Sequence, residues 1–243
     1  MVSLRVDTAM EKSKLLDRSI RIKHREDFDT ALKAMVSQPD FPCVGAKSAL
    51  ARDNLKVIGG HILDSSWDDL EIHRELLAWA KEYRGSTDGL RSLAVVFDGP
   101  LDLSEAEFEK LLWTRIQSLA DKDAWLGQDY DSRVSSDPGD PHFSLSFGGE
   151  AFFVIGLHPN ASRPARRFAY PMLVFNLHDQ FERLREHGTY EKMRATILAR
   201  DEKLAGDINP MLSKYGESSE ARQYSGRQVG EDWQCPFQDR RSP

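Results

Sequence analysis

The sequence predicts a mixed α/β fold in which helices flank a central, largely antiparallel sheet. Short apolar runs bounded by Gly or Pro are typical of buried strands, and they alternate with longer segments whose apolar residues recur at helical spacing. Gly148-Gly149 separates two strand-like segments and predicts a hairpin. No internal repeat or clear linker is found, so residues 23–243 are predicted to form a single domain after an N-terminal arm of residues 1–22.

The first part of the chain predicts one helix and two short strands. A helix is expected over residues 25–36, where apolar residues including Phe28 and Leu32 share one face. Two prolines end this helix. Cys43-Val44 and LKVIGG (55–60) are each expected to form a short strand.

The middle of the chain predicts two amphipathic helices on either side of a buried strand. Ser66 is expected to cap the first helix. The strand is the apolar run LAVVF at 93–97. Ser104 and Glu107 form a capping-box pattern for the second helix, which is expected to extend to about residue 121.

The next segments predict a long loop followed by three strands. Residues 127–141 are rich in Asp, Ser, Gly and Pro, which is typical of a surface loop. Alternation over 143–147 predicts a strand with one buried face, whereas the continuous apolar run 151–157 predicts a partner strand buried on both faces. A third strand is expected at YPMLVF (170–175).

The C-terminal third predicts two helices and a docked tail. Asn176 is expected to cap a helix that contains Phe181, and a further helix is expected over 190–204. Trp233 and Phe237 in the polar tail indicate that it packs back onto the domain.

The amino-acid composition limits the kinds of partner that are expected for this protein. The chain has 243 residues, a net charge of -6 and a pI near 5.7, so nucleic acid is not expected as the main partner. No apolar stretch is long enough to span a bilayer, and the N-terminus lacks a signal-peptide core. The two cysteines imply no disulfide framework. A cytoplasmic protein with no membrane association is therefore expected.

His158 is the first candidate for a functional side chain. It ends the apolar run 151–157, and Pro159 restricts its backbone to extended conformations. A histidine held in this way suits a metal ligand or a general base. A structural role, in which the ring hydrogen-bonds to a nearby carbonyl group, also fits the pattern.

Three arginines follow within nine residues of this histidine, namely Arg163, Arg166 and Arg167. Guanidinium groups bind carboxylates and phosphates in a bidentate manner, so the cluster suits an anionic ligand. The two propionates of a haem fit this description, and so does a phosphate. A solvated face paired with acidic residues remains an alternative.

Other residues compete for the role of metal ligand. His178 is the main rival, although its predicted position beside Glu182 also fits a solvated role. Cys43 and Cys235 each lie beside a proline and suit either a thiolate ligand or a buried structural thiol. His73 is expected at the surface. Motifs of zinc proteases, P-loop proteins, Rossmann folds and serine hydrolases are absent from the sequence.

Four segments together resemble the YqcI/YcgG family. They are FPCVGAKSAL (41–50), FSLSFGGEAFFVIGLHPNASRPARRF (143–168), FNLHDQFERLR (175–185) and QCPF (234–237). Characterised members of that family are similar to haem-dependent N-hydroxylases of guanidino compounds, among them an arginine hydroxylase of D-cycloserine biosynthesis and an enzyme that hydroxylates pre-guanitoxin.

The resemblance implies a haem-dependent monooxygenase that holds haem b (iron protoporphyrin IX). It implies His158, the histidine of the HPNASR motif, as the axial ligand of the iron. Arg163, Arg166 and Arg167 then become the expected partners of the haem propionates. The implied substrate is a guanidino or amino compound such as arginine, hydroxylated with O2 or peroxide.

A cationic substrate needs a carboxylate, and Glu150 is the catalytic candidate, with Asp137 and Asp140 as alternatives. The expected partners are a small-molecule substrate and an external electron donor or peroxide. A homodimer is an option that the sequence does not decide. Two other functions stay open, a haem-binding sensor without turnover and a haem-free protein that binds a small anionic metabolite.

Overall fold

A five-stranded open sheet organises the protein in the computed structural model, which describes residues 27–211 and 216–241. The predicted arm of residues 1–22 lies outside the described residues. The strands are β1 (Leu55–Gly60), β2 (Ser92–Phe97), β3 (Leu145–Phe147), β4 (Glu150–Leu157) and β5 (Met172–Leu177). Their order is β1-β2-β5-β4-β3, with β1 and β2 parallel and the other neighbours antiparallel. The predicted mixed fold is confirmed.

Helices cover both faces of this sheet. They are α1 (27–37), α2 (Val44–Ala51), α3 (Asp69–Gly85), α4 (Glu105–Trp125), α5 (Asp179–Glu186) and α6 (Tyr190–Ala205), with 3-10 turns at Pro164–Arg166 and Glu220–Gln223. In the described part of the chain, no helix combines the length and the apolar character that a membrane crossing requires.

Alternating side chains divide the interior into two cores. In β5, Leu173 and Phe175 pack with α3 and α4, whereas Met172 packs with α1 and α2 on the opposite face. Phe237 is buried in the first core and Trp233 packs against it, which confirms that the tail docks onto the domain.

Several local predictions are confirmed in detail. The β3–β4 hairpin turns at Gly148 and Gly149, whose φ angles of 60° and 76° favour glycine. The capping box of α4 is present, because Ser104 and Glu107 hydrogen-bond to each other's backbone amide.

Four local predictions are wrong. Cys43 does not begin a strand, because its Sγ accepts a hydrogen bond from the Ala46 amide and caps α2. Asn176 does not cap a helix, because it belongs to β5, where it accepts a 2.7 Å hydrogen bond from the Ser92 hydroxyl. Asp68, not Ser66, precedes the first turn of α3. His73 is buried, with its Nε2 2.5 Å from Asp123 Oδ1.

The strand around β3 is also more buried than its alternation predicts. Ser144 and Ser146 are buried because the long loop covers the polar face of the strand. Tyr130 donates a 2.5 Å hydrogen bond to the carbonyl of Ser144, and the Asp131 amide donates to the Ser146 hydroxyl. Hydrogen bonds to the loop therefore satisfy polar groups that would otherwise need water.

Candidate functional site

A cavity of about 270 Å³ lies between the sheet and the layer formed by α1, α2 and α6. Apolar side chains form most of its walls. The strand residues that line it occur at alternate positions, as expected when one face of a sheet borders a cavity: Phe153, Ile155, Leu157, Met172, Val174 and Asn176.

His178 is the histidine that lines this cavity among the described residues. It follows β5 directly, and it continues the alternation that places Val174 and Asn176 on the cavity face. Its side chain is buried, with 6% exposure. The imidazole is thus held where a bound molecule would meet it.

Both ring nitrogens of His178 have polar neighbours. The Ser144 hydroxyl donates to the carbonyl of Phe152 and lies 3.3 Å from Nδ1, so its oxygen accepts a hydrogen bond from Nδ1–H. Nε2 lies 3.0 Å from Oε1 of Glu182, which also pairs with Arg185. A hydrogen bond between Nε2 and a carboxylate requires a proton there. The pKa of Glu182 is lowered, chiefly by its hydrogen bond with His178.

Arg166 brings a positive charge into the cavity without a carboxylate partner among the described residues. Its guanidinium donates to three backbone carbonyls, those of Gly156 (3.0 Å), Gln223 (3.0 Å) and Tyr224 (3.4 Å). Burial lowers its pKa to about 10. A half-buried cation that hydrogen-bonds only to carbonyl dipoles is available to an anionic ligand in the cavity.

The other two candidate arginines differ from Arg166. Arg163 also lines the cavity, but it pairs with Asp201 at 2.7 Å and Asp207 at 2.9 Å. Arg167 does not line the cavity, because its guanidinium folds back onto the carbonyls of the turn that contains it. The structure therefore brings two of the three predicted arginines to the cavity.

One of the two thiols reaches the cavity. Cys43 lines it, and burial raises the pKa of this thiol. Cys235 packs against the core on the other face of the sheet, where burial raises its pKa to about 12.

Glu220 is the carboxylate that sequence analysis missed. It opens the 3-10 turn Glu220–Gln223 and faces the cavity. This turn lies beside β4 beyond the end of β3, where the Gly156 amide donates to the carbonyl of Tyr224. Burial raises the pKa of Glu220.

His158 lies on the opposite face of the sheet from the cavity. Its ring stacks on Phe108 of α4 with centroids 4.3 Å apart, and its backbone pairs with the chain around Arg167. Burial lowers its pKa, and its Nδ1 has no hydrogen-bond partner in the described structure. The predicted axial ligand is thus separated from the cavity that holds Arg166.

Glu150 is also placed away from the cavity. It begins β4 and pairs with Arg133 at 2.7 Å and Arg84 at 3.4 Å. Asp137 and Asp140 hydrogen-bond within the exposed loop. The three carboxylates selected from the sequence therefore stabilise local structure around the hairpin and the loop.

Comparison with known proteins decides the family. The model of the YqcI/YcgG family matches residues 32–238. The chain belongs to the YqcI/YcgG family. No curated protein and no solved structure matches the chain. The matched region of this family member contains every cavity residue described above.

The donor set of the cavity fits a haem. It contains one imidazole, His178, and one thiol, Cys43, which are residue types that bind haem iron. Arg166 offers an unneutralised cation for a propionate. The volume of about 270 Å³ is slightly below the usual range of ligand pockets, so a haem would fit only if the helical layer moved away from the sheet.

Proposed function

We propose that this protein is a haem-dependent monooxygenase that N-hydroxylates a guanidino or amino compound, with haem b in the cavity. The observation that carries the proposal is the presence of His178 and the unneutralised Arg166 in one largely apolar cavity. The resemblance of the HPNASR and FNLHDQF segments to guanidino N-hydroxylases gives further support.

When bound, haem would supply the activation of O2 or peroxide that insertion of oxygen into an N–H bond requires. With O2, formation of N–OH and water also takes two electrons and two protons from an external donor. With peroxide, the same products form without added electrons.

We assign the ligand role to His178 because it lines the cavity, whereas His158 does not. The Ser144 hydroxyl oxygen accepts a hydrogen bond from Nδ1–H, which orients the ring and leaves Nε2 for coordination. A metal at Nε2 must displace the proton shared with Glu182. Glu182 keeps Arg185 as its partner, so its charge remains paired after that displacement.

The remaining cavity residues bind, orient and exclude water. Arg166 is fixed by three carbonyls, so it can hold an anionic group without further ordering of its own side chain. Phe153 and Ile155 give the sheet side of the cavity an apolar surface, which strengthens electrostatic interactions inside it.

The test is the absorption spectrum of the full chain reconstituted with hemin, compared with His178→Ala, His158→Ala and Cys43→Ser. We expect His178→Ala to change the Soret band and spin state, exogenous imidazole to restore them, and the other two variants to resemble the wild type. A spectrum that changes only in His158→Ala would instead support the residue selected from the sequence. Circular dichroism of each variant checks that it folds.

A second candidate function is a haem-free protein that binds a small anionic metabolite. It is favoured by one observation, that both nitrogens of His178 already have polar neighbours. A wild-type protein that stays colourless after expression with ample haem and after reconstitution would refute the first function, and binding of inorganic phosphate that Arg166→Met weakens would support the second.

A further inference from the structure

Two charged side chains of the cavity, Arg166 and Glu220, form no ion pair with a described residue. Others do, since Arg163 pairs with Asp201 and Arg185 pairs with Glu182.

The position of Glu220 gives it no structural task. Ser219, not Glu220, caps the 3-10 turn, since its hydroxyl accepts from the Ala221 amide. No described residue hydrogen-bonds or ion-pairs with the Glu220 carboxylate, although the side chain is half-buried and lines the cavity. A carboxylate that lines a cavity without a partner is a suitable contact for a cationic group of a ligand.

The charges that act on Glu220 come from the elements packed around it. His178 and Arg185 favour its ionised form, and Glu182 opposes it. Burial has a larger effect than all three and raises the pKa of Glu220. An incoming cation would stabilise the ionised form of this carboxyl group, with which no described residue forms an ion pair.

We propose that Glu220 receives the cationic group of the molecule bound in the cavity, a guanidinium, an amidinium or an ammonium group. The proposal rests on the proposed function in that it takes the same cavity as the substrate site. It replaces Glu150, which is committed to Arg84 and Arg133, as the residue that selects a positively charged substrate.

The first test compares arginine with citrulline, which has the same length but carries a neutral urea in place of the guanidinium. Binding to the full chain is measured by calorimetry for the wild type, Glu220→Gln and a control, Glu186→Gln, whose side chain is exposed on α5. We expect the wild type and the control to prefer arginine by about 10- to 100-fold, the effect of a charge-assisted hydrogen bond, and Glu220→Gln to lose that preference. Equal preference in wild type and Glu220→Gln, or no preference in the wild type, overturns the proposal.

A second test needs no ligand. Because the folded protein holds the Glu220 proton more tightly than the unfolded chain, the wild type should lose stability as the pH rises above the ordinary glutamate value of 4.5. The Gln side chain in Glu220→Gln does not titrate. The melting temperature of this variant should therefore rise relative to that of the wild type as the pH rises over that range. Parallel pH profiles would show that the carboxylate is not unpaired, and they would sink the proposal.

The outcomes also separate this proposal from haem binding. A colourless protein that binds arginine through Glu220 would refute the haem and keep the role of Glu220. If the protein binds haem and Glu220→Gln prefers arginine over citrulline as strongly as the wild type does, the role of Glu220 is refuted and the haem proposal is kept.

Discussion

Phe108 of α4 stacks on the imidazole of His158, with ring planes within 19° of parallel. The contact fills the space between α4 and the face of the sheet opposite the cavity. His158 therefore acts as a core residue, and burial holds its pKa below the ordinary value.

Replacing His158 should affect stability in two ways. His158→Ala should lower the free energy of unfolding by about 2 kcal/mol, because it deletes a buried ring and its stacking. The wild type should also lose stability as the pH falls below about 6.5, since the unfolded chain binds the proton more readily than the folded one.

Urea unfolding measures both effects. It compares the wild type, His158→Ala and His158→Phe at about one pH value per unit between pH 5 and 8. His158→Phe keeps a ring and removes the titration, so its stability should fall less at low pH. A constant difference between wild type and His158→Phe at all pH values contradicts the buried neutral imidazole.

The strands were predictable from the sequence, but the side of the sheet that holds the cavity was not. The run 151–157 is apolar at successive positions, so it carries no signal for which face meets solvent, a core or a ligand. Only the positions of α1, α2 and α6 show that Ile155 faces the cavity and that His158 faces α4.

Glu220 could not have been found from local pattern. Its 3-10 turn has no helical periodicity, and it reaches the cavity because β3 ends early and leaves the edge of β4 open to residues far away in sequence. The strand predicted at Cys43-Val44 was wrong for a local reason. Two adjacent apolar residues resemble a short strand, and the pattern does not show that the Cys43 thiol caps a helix. The capping box at Ser104, which is wholly local, was predicted correctly.

Arg166 should discriminate between hemin and its dimethyl ester, which lacks the propionate charges. The wild type should bind hemin more tightly, and Arg166→Met should lose about tenfold of that preference, because a charge-assisted hydrogen bond is removed. Fluorescence quenching during titration measures both affinities. Arg167→Met is the matched control, since Arg167 bonds only to nearby carbonyls outside the cavity. If both variants lose the preference for hemin equally, the effect comes from the net charge of the protein and not from a contact of Arg166 with a propionate.

Gly156→Ala should destabilise the protein by about 1–3 kcal/mol through overpacking. A Cβ at this position of β4 would lie 2.7 Å from side-chain carbons of Leu112 and Phe108, both on α4. Gly85→Ala is the control, because a Cβ there meets nothing within 4 Å and the residue ends a helix. Thermal and urea unfolding compare the two variants. A Gly156→Ala protein as stable as Gly85→Ala would show that α4 does not pack closely on β4.

Arg241 and Arg240 are adjacent in the tail but should differ in their effect on stability. Arg241 donates to Asp123 Oδ2 at 2.6 Å with its own side chain 10% exposed, whereas Arg240 pairs with Asp121 at 60% exposure. Asp123 is fully buried and also contacts His73, so removal of Arg241 leaves a buried carboxylate short of one cation. Arg241→Met should therefore cost about 3 kcal/mol, and Arg240→Met less than about 1 kcal/mol.

Urea unfolding of both single variants and of the double variant Asp123→Asn/Arg241→Met tests the cause of this difference. If the cost comes from the orphaned charge, the double variant should be more stable than Arg241→Met alone, because the neutral amide no longer needs a cation. If the double variant is less stable, the Asp123 carboxylate stabilises the fold mainly through its hydrogen bonds with His73 and the Gly148 amide, and the loss of its cation is secondary.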